Sequence, residues 1–400
     1  MKKIIKQLIG EIENLGYSIN LVDISKIFYD EPKINSYSLI FKSSENKRMD
    51  RIIKKEILGG AGVSFFSREL ALLKCISESI ERISFMSYDQ KNFCYGSYSD
   101  FSKKAIDIGQ YTKKDLNKIN FNWVKGRSFV DETLVYIPAQ LIYGNYNLKK
   151  EPFLTMQIST GAAGGLDKKS SLLRGVYEVV ERDALMTFFL NKIKLPRINP
   201  LSIKNKNIQS LIESIIKYNL KIYIFNITND LEIPTYLTLL IDETGLGPLV
   251  RVGYKSNLDC YKAILGSIEE SLISRVALRY NNFLHKKPDT KKNSLLGLNY
   301  LMNQPLQKLR IQLTKLNNID LELKYLTNHL FKIGFKSYYV DISLKDFSKW
   351  HHYVYKVLIP GLQPYLHGSY KEYRINRLRA VAKYFDIKKV TRTTLPYPFI

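Results

Sequence analysis

Two stretches 100 residues apart hold the side chains richest in chemistry. Ala71-Leu-Leu-Lys-Cys-Ile-Ser-Glu78-Ser-Ile-Glu81-Arg82 and Ser171-Leu-Leu-Arg-Gly-Val-Tyr-Glu178-Val-Val-Glu181-Arg182 each run from a Leu pair through a basic residue to Glu-x-x-Glu-Arg. On a helix, carboxylates three residues apart are neighbours and repel, and the adjacent Arg offsets part of that charge. A single such pair reads as a solvated helix face. Two of them, repeated, can face each other and present four oxygen-ligand groups. That set suits a hard cation such as Mg²⁺, which is usually held together with phosphate.

The elements that must position these groups follow from hydrophobic spacing. Leu72, Leu73, Ile76, Ile80 and Ile83 form one stripe at helical spacing, with Glu78, Glu81 and Arg82 turned away from it. Leu172, Leu173, Val176, Val179 and Val180 repeat the stripe against Glu178, Glu181 and Arg182. Each helix follows a Gly-rich stretch, Gly59-Gly-Ala-Gly62 or Ser159-Thr-Gly-Ala-Ala-Gly-Gly165, which reads as a turn. A third helix over 259–280 carries Glu270 and Arg275 after an apolar run. The start of the chain reads as an amphipathic helix. Strands are expected at 38–41, 133–138, 139–143, 221–225, 235–241, 338–343 and 353–359, and helices at 208–218, within 305–334, and at 370–385. No long linker interrupts the pattern. The expected fold is a mixed α/β (α+β) unit with mixed sheets flanked by helices and an internal pseudo-repeat. It divides into an N-terminal α/β extension at 1–55, a large unit at 56–390 and a Pro-containing tail at 391–400.

Composition bounds the function class. The chain has 400 residues, 45% hydrophobic and 24% charged, which is ordinary for a globular protein. No apolar run reaches the roughly 18 residues of a membrane span, and the charged start lacks the apolar core of a signal peptide. A cytoplasmic location is therefore expected, with no membrane contact. Three cysteines without a Cys-x-x-Cys pair argue against a disulfide framework and a Cys-based zinc site. Cys75 reads as core, and His351-His352 as a surface turn. The net charge of +24 suits a nucleic-acid binder. Its even spread along the chain disfavours that reading and leaves nucleotide phosphates or an acidic peptide as partners.

At this point the residues resemble a known family. Ser159-Thr-Gly-Ala-Ala-Gly-Gly165 followed by Val176-Tyr-Glu178-Val-Val-Glu181-Arg182-Asp183 is similar to the YcaO signature. Glu78-Ser-Ile-Glu81-Arg82 is similar to that family's other Glu-x-x-Glu-Arg helix, and Asp341-Ile-Ser343 with Val357-Leu-Ile-Pro360-Gly-Leu-Gln-Pro364 to its C-terminal block. The resemblance runs from about residue 56 to the end. It implies an ATP- and Mg²⁺-using enzyme that modifies peptide backbones. Glu78, Glu81, Glu178 and Glu181 are then the metal or nucleotide ligands. Arg82, Arg182, Ser159, Glu270 and Arg275 are further nucleotide contacts. Azoline-forming members end in a Pro-x-Pro-x-Pro tail at the active site, and here Pro396 and Pro398 are in register while Ile400 holds the third place. The Ile400 carboxylate is then the candidate base. Two departures stand out: Ser170 replaces a usual Glu and Lys74 a usual Ser, which leaves the metal count open.

The resemblance thus implies a cyclodehydratase that turns Cys, Ser or Thr of a ribosomal precursor peptide into thiazoline or oxazoline, as in bacteriocin and antibiotic biosynthesis. It implies a separate ThiF-like leader-binding partner. In many such pathways an FMN-dependent azoline dehydrogenase follows, and a homodimer is compatible with this reading. The alternatives are thioamide or amidine formation, and a non-catalytic scaffold subunit. The precursor, the ring number and the Cys-versus-Ser/Thr preference are not in the sequence.

Overall fold

The structure is a computed structural model that describes residues 1–43, 58–101, 103–111, 119–148, 151–285, 297–311, 314, 316–365 and 374–388. Its helices are α1 (Lys2–Asn14), α2 (Arg68–Met86), α3 (Tyr98–Phe101), α4 (Lys168–Leu190), α5 (Lys206–Lys217), α6 (Cys260–Leu284), α7 (Asn299–Met302), α8 (Ile319–Lys332), α9 (Lys345–Ser348) and α10 (Ile375–Tyr384). The strands are β1 (Tyr17–Asp23), β2 (Asn35–Ser43), β3 (Leu58–Ser64), β4 (Cys94–Ser97), β5 (Asn120–Ser128), β6 (Leu134–Pro138), β7 (Ala162–Gly165), β8 (Arg197–Ile198), β9 (Leu220–Asn226), β10 (Thr235–Asp242), β11 (Val250–Ser256), β12 (Leu306–Gln307), β13 (Tyr338–Asp341) and β14 (Tyr353–Leu358).

They form three sheets, ordered β1-β2-β3, β11-β10-β9-β8-β12 and β4-β5-β13-β14-β7, with β6 paired to β5. Every pairing is antiparallel except β8 with β12, so the expected mixed α/β architecture holds. Each sheet offers one strand to a long helix that follows it directly: β3 leads into α2, β7 into α4 and β11 into α6. Side-chain caps start all three helices. Ser67 accepts from the Leu70 N–H, Asp167 from that of Ser170, and Asp259 from those of Tyr261 and Lys262.

The stripes read from the sequence are the buried faces. Ile76, Ile80 and Ile83 of α2 and Val176 and Val180 of α4 are buried, each contributing about 1.5–3 kcal/mol relative to exposure. Leu72 and Leu73 are only half-buried. Cys75 is core, as its place in the stripe requires.

Several expectations need correction. Neither Gly-rich stretch is simply a turn. Gly59–Gly62 lies inside β3, and Ala162–Gly165 is β7. At Gly60 and Gly62 helix backbone lies against the strand: a Cβ on Gly62 would stand 2.0 Å from the Ala71 carbonyl oxygen and 2.3 Å from the Cys75 nitrogen. Residues 139–141 form a 3-10 turn rather than a strand. Among the described residues of 305–334, the helix covers Ile319–Lys332 and β12 precedes it. His351 is exposed, but His352 is fully buried, its Nε2 3.1 Å from the Ser77 hydroxyl. No helix among the described residues is long and apolar enough to cross a membrane.

Candidate active site

The three strand–helix units are tied into a ring by glutamates. Within each unit a helix carboxylate takes a backbone N–H of the unit's own strand or of the turn that leads into it. Glu78 accepts from Ala61 at 2.7 Å, Glu178 from Gly161, and Glu270 from Tyr254 at 3.4 Å. A second carboxylate from each helix then reaches the next unit. Glu81 on α2 accepts from Gly164 of β7 at 3.2 Å, Glu181 on α4 from Ser256 of β11 at 3.0 Å, and Glu269 on α6 from Phe65 after β3 at 2.7 Å. The third link closes the circle. A carboxylate that accepts backbone N–H groups is fixed in rotamer and position.

The ring encloses a cleft of about 830 Å³. Glu78, Glu81, Glu178, Glu181, Glu269 and Glu270 all line it. Lys74, Arg82, Arg174, Arg182, Arg251, Lys255 and Lys262 line it too, along with apolar Phe66, Leu70, Ile273 and Ala277. Arg82 pairs with Glu78 at 2.6 Å. Arg182 stands 3.8 Å from Glu178, its guanidinium 5.1 Å from the Tyr254 ring centre and 4.3 Å from that of Tyr365. It also donates to the Tyr254 hydroxyl. Lys255 lies 2.9 Å from Glu270 and 3.4 Å from Glu181.

The electrostatics record crowded negative charge. Burial, then the charges of Glu178 and Glu78, drive the Glu81 carboxyl well above the usual range. Burial raises Glu178 as well, against the pull of Arg182, Lys356 and Lys255. It carries Glu181 up to about 8, with Lys255 offsetting part of the effect. Arg182 is held firmly protonated, because Tyr254 and Glu178 outweigh its burial. Such a donor set fits a hard divalent cation. Among the described residues no three His, Cys, Asp or Glu side chains converge on one metal position. Mg²⁺ is commonly held by one or two carboxylates, with water and phosphate oxygens filling its octahedron.

Of the residues expected from the sequence, Glu78, Glu81, Arg82, Glu178, Glu181, Arg182 and Glu270 meet in this cleft. Arg275 does not. Five residues beyond Glu270 is about 140° further round the helix, and its guanidinium is buried against Glu31 at 2.8 Å and Asp242 at 2.9 Å. Ser159 is exposed outside the cleft, its carbonyl accepting from the Ala162 N–H. Ser170 lies in the first turn of α4, bonded to Asp167, two turns from Glu178. Lys74 donates to the Val63 carbonyl at 2.8 Å and pairs with Glu269 at 3.1 Å. Pro396, Pro398 and Ile400 lie outside the described residues.

Sequence reasoning missed Glu269, Lys255, Arg174 and Lys356. Arg174 had a signal, since it holds in the second stretch the place of Lys74 in the first, and its Nη2 donates to the Gly164 carbonyl at 2.6 Å. Lys255 had none. The buried Lys356 is pulled down to about 8 by burial, with Glu178 and Glu81 opposing.

With this geometry in hand, the comparisons with known proteins are specific. The sequence matches the family described as YcaO cyclodehydratase, ATP- and Mg²⁺-binding, over residues 64–363. The chain belongs to the YcaO family, whose cofactors are ATP and Mg²⁺. Its fold is similar to that of a heterocyclase in complex with substrate and cofactor, with a TM-score of 0.78 at 19% identity over 99% of this chain and 57% of that one. It is also similar to YcaO from Methanopyrus kandleri bound with AMPPCP and Mg²⁺, with a TM-score of 0.66 at 14% identity over 90% and 91% of the two chains. In sequence, an uncharacterized protein in the tfuA 3′ region of Rhizobium leguminosarum bv. trifolii is 27% identical over 122 residues, 30% of this chain and 29% of that protein. The matched part is thus less than two thirds of both the heterocyclase and the Rhizobium protein.

Proposed function

We propose that this chain is an ATP-dependent peptide cyclodehydratase. It converts Cys, Ser or Thr of a ribosomal precursor peptide to thiazoline or oxazoline, and works with a separate leader-binding partner. Residues 56–390 act as the catalytic unit, with 1–55 as an extension. The observation that carries the reading is the ring of three strand–helix units whose glutamates turn into one cleft rimmed by cations. A cleft of this size has room for a nucleotide, its apolar side chains for the base and its cations for the phosphates.

In this reading the substrate side chain attacks the preceding backbone carbonyl, and the carbonyl oxygen departs as phosphate. Bound ATP and Mg²⁺ supply the phosphoryl group and the charge neutralisation that make this oxygen a leaving group. The protein supplies position and charge. Arg182, stacked between Tyr254 and Tyr365, is held in one place for phosphate oxygens. Arg82, paired with Glu78, is more exposed than Arg182 and supplies a second cation. Glu78, Glu81, Glu178 and Glu181 are held on backbone N–H groups, which presents them to the metal without rearrangement. Pro396, Pro398 and Ile400 are proposed to serve the proton-transfer step, the two prolines restricting the backbone there.

The test is phosphate release and peptide mass with the cognate precursor and partner protein. We expect one water lost per ring with matching phosphate, and a fall of at least about a hundredfold for Glu178→Ala. An oxygen-to-sulfur mass gain would move the chain to thioamide formation. No binding of ATP·Mg²⁺ would leave a scaffold.

A further inference from the structure

We propose that the cavity behind Lys356 is an acceptor subsite: it takes a backbone amide carbonyl flanked by an apolar side chain. The proposal rests on the phosphoryl-transfer reading of the cleft and adds where, and with what preference, the accepting group sits.

Lys356 of β14 is the antiparallel partner of Ala162 in β7, so both side chains leave the same face of the sheet. Ala162 lines the nucleotide cleft. Lys356 is 1% exposed. It donates to the carbonyls of Ile158 at 2.7 Å and Thr160 at 2.6 Å and stands 5.0 Å from the Phe85 ring centre. The carboxylates whose charge acts on it are Glu178 and Glu81. Burying a cation is costly. This one lines the smaller of two spaces, while those two carboxylates line the cleft. On the cleft side, Glu178 and Glu81 are held by the N–H groups of Gly161 and Gly164, one residue before Ala162 and two after it. On the other side is a cavity of about 90 Å³ walled by Leu141, Met156, Val179, Val357 and Leu362. Val179 follows Glu178 on α4, so cavity and cleft lie against adjacent faces of one helix.

The cavity is too small for a nucleotide and of a size for one aliphatic side chain. An ammonium has three protons, and two are given to backbone carbonyls. The third is the donor for a ligand oxygen at the border of the cleft. A neutral carbonyl suits this position better than a carboxylate, because Glu81 and Glu178 already place negative charge nearby. Lys356 makes and breaks no bond in this role. It orients the oxygen and stabilises the charge that grows on it.

The experiment is ligand-detected NMR of N-acetyl-leucine methylamide with the full chain in the absence of nucleotide. N-acetyl-glutamate methylamide and N-acetyl-leucine carboxylate serve as comparisons. The expected result is saturable binding of the leucine amide, preferred over both comparisons and weakened roughly fivefold or more in Met156→Phe and in Lys356→Met. Thermal melts establish that each variant is folded, and the cavity-filling Met156→Phe leaves the ammonium in place. No binding to the wild type, equal binding to folded Met156→Phe, or tighter binding of the carboxylate would overturn the proposal. ATP·Mg²⁺ binding is measured on the same samples. Its absence would sink the cleft reading, whereas the probe result decides the subsite by itself.

Discussion

At the scale of single residues, the site depends on charges that burial has made conditional. His352 is the clearest case outside the carboxylate ring. Its imidazole is fully buried, with Nε2 on the Ser77 hydroxyl, one residue before Glu78. Burial, helped by the Arg174 charge, pulls it down to about 3. Unfolded, it titrates near its ordinary value of about 6.5. Between these values the unfolded chain takes a proton that the folded protein refuses. The contribution of His352 to stability is therefore complete above about pH 6.5 and is lost as pH falls towards 3, at up to about 1.4 kcal/mol per pH unit. In His352→Asn, which has no such proton to take up, the acid limb of denaturant stability measured from pH 7 to 4 should be shallower by about one proton. An unchanged slope would mean that the ring is protonated in the folded state. The expectation of a surface His351-His352 pair failed for a related reason. Both residues sit in one turn, but His351 adopts a left-handed φ of 58° and the chain turns inward after it, which takes His352 into the core.

Among the elements, the helices were legible and the strands beside them were not. The apolar stripes and repeated carboxylates of α2 and α4 follow from a period of 3.6, and a helix buries its stripe whatever it packs against. The glycines before them signalled turns, because by themselves they carry no side-chain pattern. In the fold they are contact points. Gly62 meets Ala71 and Cys75 on α2, and Gly253 in β11 meets Ser267 and Ser271 on α6, where a Cβ would stand 2.0 Å from the Ser267 carbonyl oxygen. This close approach brings Glu78 and Glu270 within reach of strand N–H groups. Gly62→Ala should therefore cost about 1–3 kcal/mol, the range for overpacking, and Gly253→Ala a similar amount. Thermal or urea unfolding would check both. A neutral effect at Gly62 would mean that β3 and α2 can separate without loss.

For the whole molecule, the ring needs its halves held together, and a buried ion cluster does part of this. Arg377 on α10 reaches Asp183 at 2.7 Å on α4, directly after Glu181-Arg182, and also Asp230 at 2.7 Å. Asp183 in turn accepts from the Gln363 N–H and from the Asn229 amide. The C-terminal helix, the 360–364 loop and the glutamate helix are thereby fixed to one carboxylate. Arg377→Met leaves that carboxylate buried and uncompensated, and should cost about 3–5 kcal/mol of stability in a denaturant midpoint. The double variant with Asp183→Asn should recover part of the loss. If the single substitution proves neutral, the cluster does not brace the fold.

The sequence by itself determined the two glutamate helices, the family, and the four carboxylates and two arginines of the cleft, because these are local, periodic and repeated. Only the tertiary structure decided which strand N–H each carboxylate would take, that Glu269, Lys255 and Arg174 would join them, and that Arg275 would turn away to Glu31 and Asp242. Those partners lie on other strands and helices, up to 244 residues away in the case of Glu31 and Arg275. Pairings over such separations are set by how the three sheets pack around one cleft, and no local pattern encodes them.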